Sequence, residues 1–249
     1  MGNWLNVGVA GAAMWPTTET QVQFGGHTLV LRPATHETAQ SVHIDLDRIS
    51  DEDALTLINQ FLSVLTWCDD QPMENKYGWS GNPVPVSVPI ETRQTGSSIA
   101  FPFYRDLEIE PKARLALALY REARTINSVP LAFLSYFKIL NIFWEDRFRT
   151  AKGGVQVNPI VEGIRAAVPS LSDSLAKERI ANLQAAHVDT AVYLYESCRC
   201  AVAHANTSPV ADPDNMKDIR RLSADIWVVK ALAEELITQN FGLSRSIIR

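Results

Sequence analysis

The chain has 249 residues, of which 46% are hydrophobic and 20% are charged, and its formal net charge is −5. This composition is that of a folded globular protein and excludes a disordered or fibrous chain, while the length favours two modules or one elaborated domain. The negative net charge argues against general nucleic-acid binding, which depends on many Lys and Arg side chains.

Short β-strands are predicted for the first 48 residues. The segments WLNVGVA, TQVQF, HTLVLR and SVHIDLD are short, and the last three alternate apolar and polar residues, as half-buried strands do. Gly25-Gly26 between the second and third segments indicates a hairpin turn. Ser50, with Asp53 three residues later, predicts the start of a helix that runs through Trp67 and packs on these strands.

A loop is predicted for residues 69–100, because proline and glycine become frequent and the periodicity disappears. An extended edge segment around Val84 to Ile90 remains compatible with this part of the sequence. We place a domain boundary near residue 105, which gives a β-rich N-terminal unit, 1–105, and a helical domain, 106–249.

Helices are predicted throughout the second part. The first two helices begin near Pro111 and after Ser128. A short helix is predicted around Ile160 to Ala167, and a long one from about Leu183 to Ala205. The last helix runs from Asp214 to just before Gly242. Four main helices with mostly short links favour an up-and-down bundle. The predicted fold class is therefore α+β.

Acidic residues are concentrated in the first unit. Residues 1–105 carry 5 basic and 11 acidic side chains, whereas residues 106–249 carry 18 and 17. The helical domain is thus electrostatically compatible with an anionic ligand, although its charge alone does not demand one.

The three cysteines, Cys68, Cys198 and Cys200, cannot all form disulfide bonds within the chain, because their number is odd. Cys198 and Cys200 cannot form a disulfide bond with each other, because residues two apart in a helix do not have the required geometry. We therefore expect a reducing, cytoplasmic environment. The sequence has no basic, apolar leader and no apolar run of about 18 residues, so neither secretion nor membrane insertion is expected.

One face of the helix around "AVYLYESCRCAVAHA" has an unusual composition. At 100° per residue, one side of a helical wheel is apolar. The opposite side carries Asp189, Tyr193, Glu196, Arg199, Cys200, Ala203 and His204. Because small residues allow close approach, a second copy of the same helix could pack here, and a two-fold axis would then bring two Arg/His sets together.

Arg199-Cys-Ala-Val-Ala-His204 resembles the R-x4-6-H motif of the HEPN superfamily (higher eukaryotes and prokaryotes nucleotide-binding), whose helical domains include dimeric, metal-independent endoribonucleases. The surrounding helices, over roughly 110–240, are similar to the methylamine-utilization protein J group and related HEPN proteins.

The resemblance implies that Arg199 binds phosphate and that His204 transfers protons at the ribose 2′-hydroxyl and the leaving oxygen. These roles suit the two side chains, because arginine binds phosphate bidentately and histidine exchanges protons near neutral pH. Cleavage of RNA would leave 2′,3′-cyclic phosphate ends and needs no metal and no cofactor. Glu196, Cys200 and Tyr193 are the expected supporting residues, with Glu196 orienting Arg199, and a homodimer through this helix is the expected assembly.

A non-catalytic interaction or accessory module, with an unidentified protein partner, is the alternative. Cys200 stands where active HEPN members usually carry Asn, Asp or His, and Arg199 and His204 could instead form a surface ion pair with Glu196 and a helix C-cap. Exposure separates the two hypotheses, because catalytic side chains line an open cleft whereas a structural pair is covered and mutually bonded.

Three other motifs in the sequence carry weaker signals. Cys200 and His204 provide too few ligands for zinc. Gly8 to Ala13 lacks the glycine spacing of a dinucleotide-binding loop. Arg220-Arg221 with Lys217, at the start of the last helix, is a secondary candidate for contacting phosphate.

Overall fold

The computed structural model describes residues 3–89, 109–150, 154, 156–204, 211–212 and 215–243. These residues form two compact units: the first extends to Thr125, and the second is Ile126–Leu243. The boundary predicted near residue 105 lies outside the described residues. The next helix along the chain, Pro111–Thr125, belongs to the first unit.

The first unit contains an antiparallel sheet of five strands in the order β2-β3-β4-β1-β5. Its strands are β1 (Trp4–Gly11), β2 (Thr20–Phe24), β3 (His27–Arg32), β4 (Ser41–Asp45) and β5 (Met73–Asn82). The four predicted strands and the hairpin are confirmed, and Gly25 and Gly26 adopt the positive φ angles, 58° and 78°, that a tight hairpin turn requires.

Strand β5 corrects the prediction of a loop over residues 69–100. Its sequence, MENKYGWSGN, is polar and contains two glycines, so it shows no apolar alternation. The strand forms at the edge of the sheet because it pairs with the neighbouring interior strand β1, with two shifts of register. Within its described residues, 84–89, the predicted edge segment takes part in an isolated bridge between Thr38 and Pro89.

Two helices complete the first unit: α1 (Asp51–Asp69) and α2 (Pro111–Thr125). Ser50 caps α1 as predicted, because its Oγ accepts a hydrogen bond from the backbone N–H of Asp53 at 3.1 Å. The two helices pack through Trp67 and Tyr120, whose ring centroids lie 5.1 Å apart. The hydroxyl of Tyr120 also donates to Asp70, the residue that ends α1.

The second unit is mainly helical. It contains α3 (Val129–Phe143), α4 (Pro159–Ala167), α5 (Ser174–Ala185), α6 (190–204) and α7 (Met216–Phe241), with a short hairpin of β6 (Arg149–Thr150) and β7 (Gln156–Val157). Helices α3 and α5 both pack against α7. The described residues thus form an α+β protein with seven helices, and the up-and-down arrangement of a HEPN bundle stays a prediction. None of these described helices is long and apolar enough to cross a bilayer.

A break separates α5 from α6, where the sequence predicted one helix from Leu183 to Ala205. His187 has a positive φ of 57°. Asp189 then caps α6, because its Oδ1 accepts hydrogen bonds from the backbone N–H groups of Ala191 and Val192. The prediction of a continuous helix was wrong because the apolar periodicity continues across this local cap.

Helix α7 ends as predicted, before Gly242, whose φ of 64° is typical of a C-terminal glycine. Its start differs in detail. Asn215 is the capping residue, with its side chain accepting from the backbone N–H of Lys217 at 2.9 Å, while the predicted cap, Asp214, lies outside the described residues.

Candidate functional site

The middle of helix α6 is a π-helix. It spans Tyr193–Cys200 and is continuous with an α-helical turn on each side, Thr190–Val192 and Ala201–His204. Such i→i+5 segments are rare and are frequently found at functional sites. The wheel at 100° per residue therefore does not apply to this stretch, which contains all the predicted site residues except His204.

Arg199 and His204 are in contact. Nη1 of Arg199 lies 3.1 Å from Nε2 of His204. Because a guanidinium can only donate hydrogen bonds, a hydrogen bond at this contact has Nη1 as the donor and Nε2 as the acceptor. The side chain of His204 is exposed, whereas that of Arg199 is only 18% exposed.

Asp146, just after the end of α3, holds the other side of the guanidinium. It accepts hydrogen bonds from Nη2 of Arg199 and, at 2.6 Å, from the hydroxyl of Tyr195. Tyr195 also lies under the guanidinium, with Cζ of Arg199 5.5 Å from its ring centroid. Burial raises the pKa of Tyr195 to about 12, and the hydrogen bond to Asp146 adds to this rise.

The sequence analysis missed Asp146 and assigned its role to Glu196. Glu196 is exposed, and the described residues show no bond between it and Arg199. No local signal distinguishes Asp146 from its charged neighbours, since its partner lies 53 residues later in the chain. Cys200 is partly exposed, and its Sγ lies 3.7 Å from Nη1 of Arg199, where it is a weak acceptor.

Tyr193 lies in a second cluster, on the side of α6 that faces α5 and α7. The centre of this cluster is Asp225 of α7, which is fully buried. Its carboxylate accepts hydrogen bonds from Nε of Arg179 at 2.7 Å, from the hydroxyl of Tyr193 at 2.9 Å and from Sγ of Cys198 at 3.4 Å. Tyr193 is therefore not brought together with Arg199 and His204.

Burial raises the pKa values of Tyr193 and Cys198 well above their usual ranges. Both groups therefore keep their protons at neutral pH and act as donors to Asp225. The charge of Asp225 contributes further to the rise for Cys198.

Arg221, a member of the secondary candidate for contacting phosphate, lies in this second cluster. Its Nη1 donates to the backbone carbonyl of Ser197 at 3.0 Å and also lies 3.3 Å from the hydroxyl of Tyr193. Arg220 and Lys217, the other members of the secondary candidate, are exposed. Within the described ranges, no group of three or more His, Cys, Asp or Glu side chains is placed to hold a metal ion.

Residues 116–238 match the family model described as methylamine utilization protein MauJ. This region of the chain is similar to MauJ. The match covers just under half of the chain and includes every residue of both clusters. No curated protein and no solved structure matches the chain.

The MauJ match confirms the predicted resemblance to the methylamine-utilization protein J group, which was expected over roughly 110–240. The relationship to HEPN proteins is a separate matter and stays a prediction. The sheet of the first unit lies outside the MauJ-like region.

Proposed function

We propose that the MauJ-like region is an endoribonuclease of the HEPN type, which cleaves RNA without a metal ion. The observation that carries this proposal is that the exposed His204 lies beside Arg199, with Nε2 3.1 Å from Nη1. A phosphate-binding cation and a base ready to accept a proton are the two groups that this cleavage requires.

The proposed reaction is an internal transesterification. The scissile phosphate binds to the guanidinium of Arg199 and takes over the Nη1 hydrogen bond, which frees Nε2 of His204. Nε2 accepts the proton of the 2′-hydroxyl, the 2′-oxygen forms a bond to phosphorus, and the bond from phosphorus to the 5′-oxygen breaks. The leaving 5′-oxygen takes up a proton, so the products are a 2′,3′-cyclic phosphate and a 5′-hydroxyl.

Asp146 orients Arg199 for this role. One Nη2 hydrogen is donated to Asp146, and Nη1 lies within hydrogen-bonding distance of Nε2 of His204 and Sγ of Cys200. Nε and the second Nη2 hydrogen have no partner in the described part of the chain, so they are available to phosphate oxygens. Holding the guanidinium in place before the substrate binds increases the rate of the chemical step, because the guanidinium does not have to reorganise during the reaction.

The proposed assembly is a dimer through the exposed face of α6 around His204. Ala203 and His204 are exposed there, and Cys200 is partly exposed. Two-fold symmetry would place a second imidazole near the first, and this second group, in its protonated imidazolium form, would supply the proton to the leaving oxygen.

A non-catalytic interaction module is the second candidate, and a specific observation favours it. The positive charge of Arg199 is matched by Asp146, and both side chains are mostly covered, at 18% and 14% exposure. Under this alternative the two residues would fix the end of α3 to α6, and the exposed His204 would contact a protein partner.

An RNA-cleavage assay in EDTA tests the proposed function. Wild type is compared with Arg199→Ala and His204→Ala, and with the matched controls Arg114→Ala and His36→Ala, which change exposed residues of the first unit. We expect wild type and both controls to produce cyclic phosphate ends, and the two site variants to lose at least a hundredfold in rate. RNA that stays intact with all five proteins, across several substrates, would favour the interaction module.

A further inference from the structure

An exposed aromatic side chain lies close to the Arg199 site. Phe148 is 63% exposed, more than any other large hydrophobic side chain in the described part of the chain. A single exposed apolar residue is ordinary on a protein surface, so exposure alone indicates no ligand. The position of Phe148 distinguishes it, because it follows Asp146, the acceptor for Arg199, by only two residues. The Cα atoms of Asp146 and Phe148 are therefore at most about 7 Å apart.

Two arginines flank Phe148 in the chain. The side chains of Arg147 and Arg149 are 73% and 54% exposed, and both pair with the same oxygen, Oε2 of Glu145. One carboxylate thus faces two guanidinium groups, which leaves one positive charge in excess at this surface. Because ion pairs this exposed contribute little stability, a phosphate can replace Glu145 as the partner of either arginine.

The segment that carries these side chains is fixed at both ends. At its start, the indole of Trp144 occupies the space that a Cβ on Gly163 of α4 would fill. At its end, Asn158 caps α4, because its Oδ1 accepts from the backbone N–H of Ile160 at 3.1 Å. Strands β6 and β7 pair between these two points. Phe148 is therefore presented to solvent by anchored backbone.

An exposed ring between two arginines suits an unpaired nucleotide. Aromatic side chains stack on bases, and neighbouring cationic side chains bind the backbone phosphates. A ring at the protein surface reaches the face of a base only where that base is free of a duplex, as in single strands, loops and ends. Because every base has a face on which a ring can stack, such a surface has little sequence preference.

We propose that Phe148 stacks on an unpaired base of single-stranded RNA while Arg147 and Arg149 bind the adjoining phosphates. The strand then continues to Arg199 and His204, where it is cleaved. The inference rests on the proposed function, whose substrate class it narrows to single-stranded RNA. The three residues bind the strand and take no part in proton transfer, so their contribution can be measured without cleavage.

Binding is measured in the full chain carrying His204→Ala, so that the RNA stays intact. The probes are a short end-labelled RNA of mixed sequence and its duplex, followed by fluorescence anisotropy. We expect Phe148→Ala to raise the Kd for the single strand about tenfold and to leave the Kd for the duplex unchanged. Phe148→Trp keeps a stacking surface and is expected to retain the original Kd. The matched control is Leu175→Ala, which shortens a 43% exposed side chain of α5 and is expected to change neither Kd.

The salt dependence of binding tests the two arginines. Each phosphate contact contributes about 0.7 to the slope of log Kd against log salt concentration for single strands. Arg147→Ala combined with Arg149→Ala is therefore expected to lower this slope by about 1.4, whereas Arg114→Ala, at an exposed position of the first unit, is expected to leave it unchanged. Glu145→Gln releases both arginines and is expected to tighten binding about threefold.

The outcomes separate the binding surface from the reaction. RNA that binds through Phe148 but is not cleaved by the wild type refutes the proposed function and leaves a single-strand binding surface. Cleavage by the wild type, with the same Kd for Phe148→Ala and Leu175→Ala, overturns the surface and leaves the proposed function standing. A folded His204→Ala protein that binds no single-stranded RNA also overturns the surface, and the exposed ring of Phe148 would then contact a protein partner.

Discussion

Arg199 is joined to Asp146, a residue 53 positions earlier in the chain, by a hydrogen bond from Nη2 to the carboxylate. The bond connects α6 to the end of α3, and the same carboxylate also accepts from Tyr195. Asp146 therefore contributes both to the stability of the second unit and to the orientation of the arginine that the sequence motif identified.

Replacing Asp146 by Ala is expected to lower the free energy of unfolding by about 1–3 kcal/mol, because two donors lose a partly buried acceptor. Denaturant unfolding of the full chain measures this effect. Glu145→Ala is the matched control. It removes the neighbouring carboxylate, which pairs only with the exposed Arg147 and Arg149 in the described structure, and is expected to leave the unfolding midpoint nearly unchanged. Equal effects of the two variants would contradict a special role for Asp146.

The first unit offers a prediction about pH. His43 of β4 is fully buried between Ser41 and Asn6, whose side-chain oxygens lie 2.9 Å from its two ring nitrogens. Burial, together with the positive charge of Arg32, lowers the pKa of His43 to about 4. The unfolded chain therefore binds a proton at a higher pH than the folded chain does.

We expect stability to fall as the pH drops from about 6.5 to about 4, and the contribution of His43 to be constant below that window. Over this interval, the difference in the pKa of His43 between the folded and unfolded chain lowers the free energy of unfolding by about 3 kcal/mol. Denaturant unfolding at a series of pH values measures the change, and an NMR titration of the His43 imidazole checks the pKa directly. His43→Gln is expected to flatten this part of the profile, whereas His36→Gln, at an exposed position, is expected to retain it. A His43 that titrates near pH 6.5 would contradict the prediction.

Local signals in the sequence were sufficient for much of the fold. Alternation predicted β2, β3 and β4, and the cap at Ser50 predicted the start of α1. Strand β5 was missed because it depends on pairing with β1, which no local pattern encodes. The break before α6 was missed for a similar reason, since the cap at Asp189 interrupts the backbone without interrupting the apolar periodicity.

The site was predictable only in part. The pair of Arg199 and His204 was found from its spacing and its resemblance to a known motif. Asp146 and Asp225 were not found, because each meets its partners through tertiary contacts over 27 to 53 residues. The wheel also assumed an α-helix, so it placed Tyr193 on the same side of the helix as Arg199, whereas in the π-helix Tyr193 contacts Asp225.

The proposed dimer makes a prediction about thiol reactivity. Cys200 is partly exposed in the single chain, whereas Cys68 and Cys198 are buried. A dimer through this face of α6 would cover Cys200. In dilute protein we therefore expect a thiol reagent to label one cysteine rapidly, and this rate to fall as the protein concentration rises through the range in which dimers form.

Two cysteine variants identify the labelled thiol. Cys200→Ser is expected to abolish the rapid phase, while Cys68→Ser, at a buried position, is expected to retain it. Light scattering on the same samples gives the fraction of dimer at each concentration, so that labelling and assembly can be compared directly. A rate that stays constant while dimers form would show that the subunits associate through a different face. In that case the leaving oxygen would have to receive its proton from a group other than a second His204.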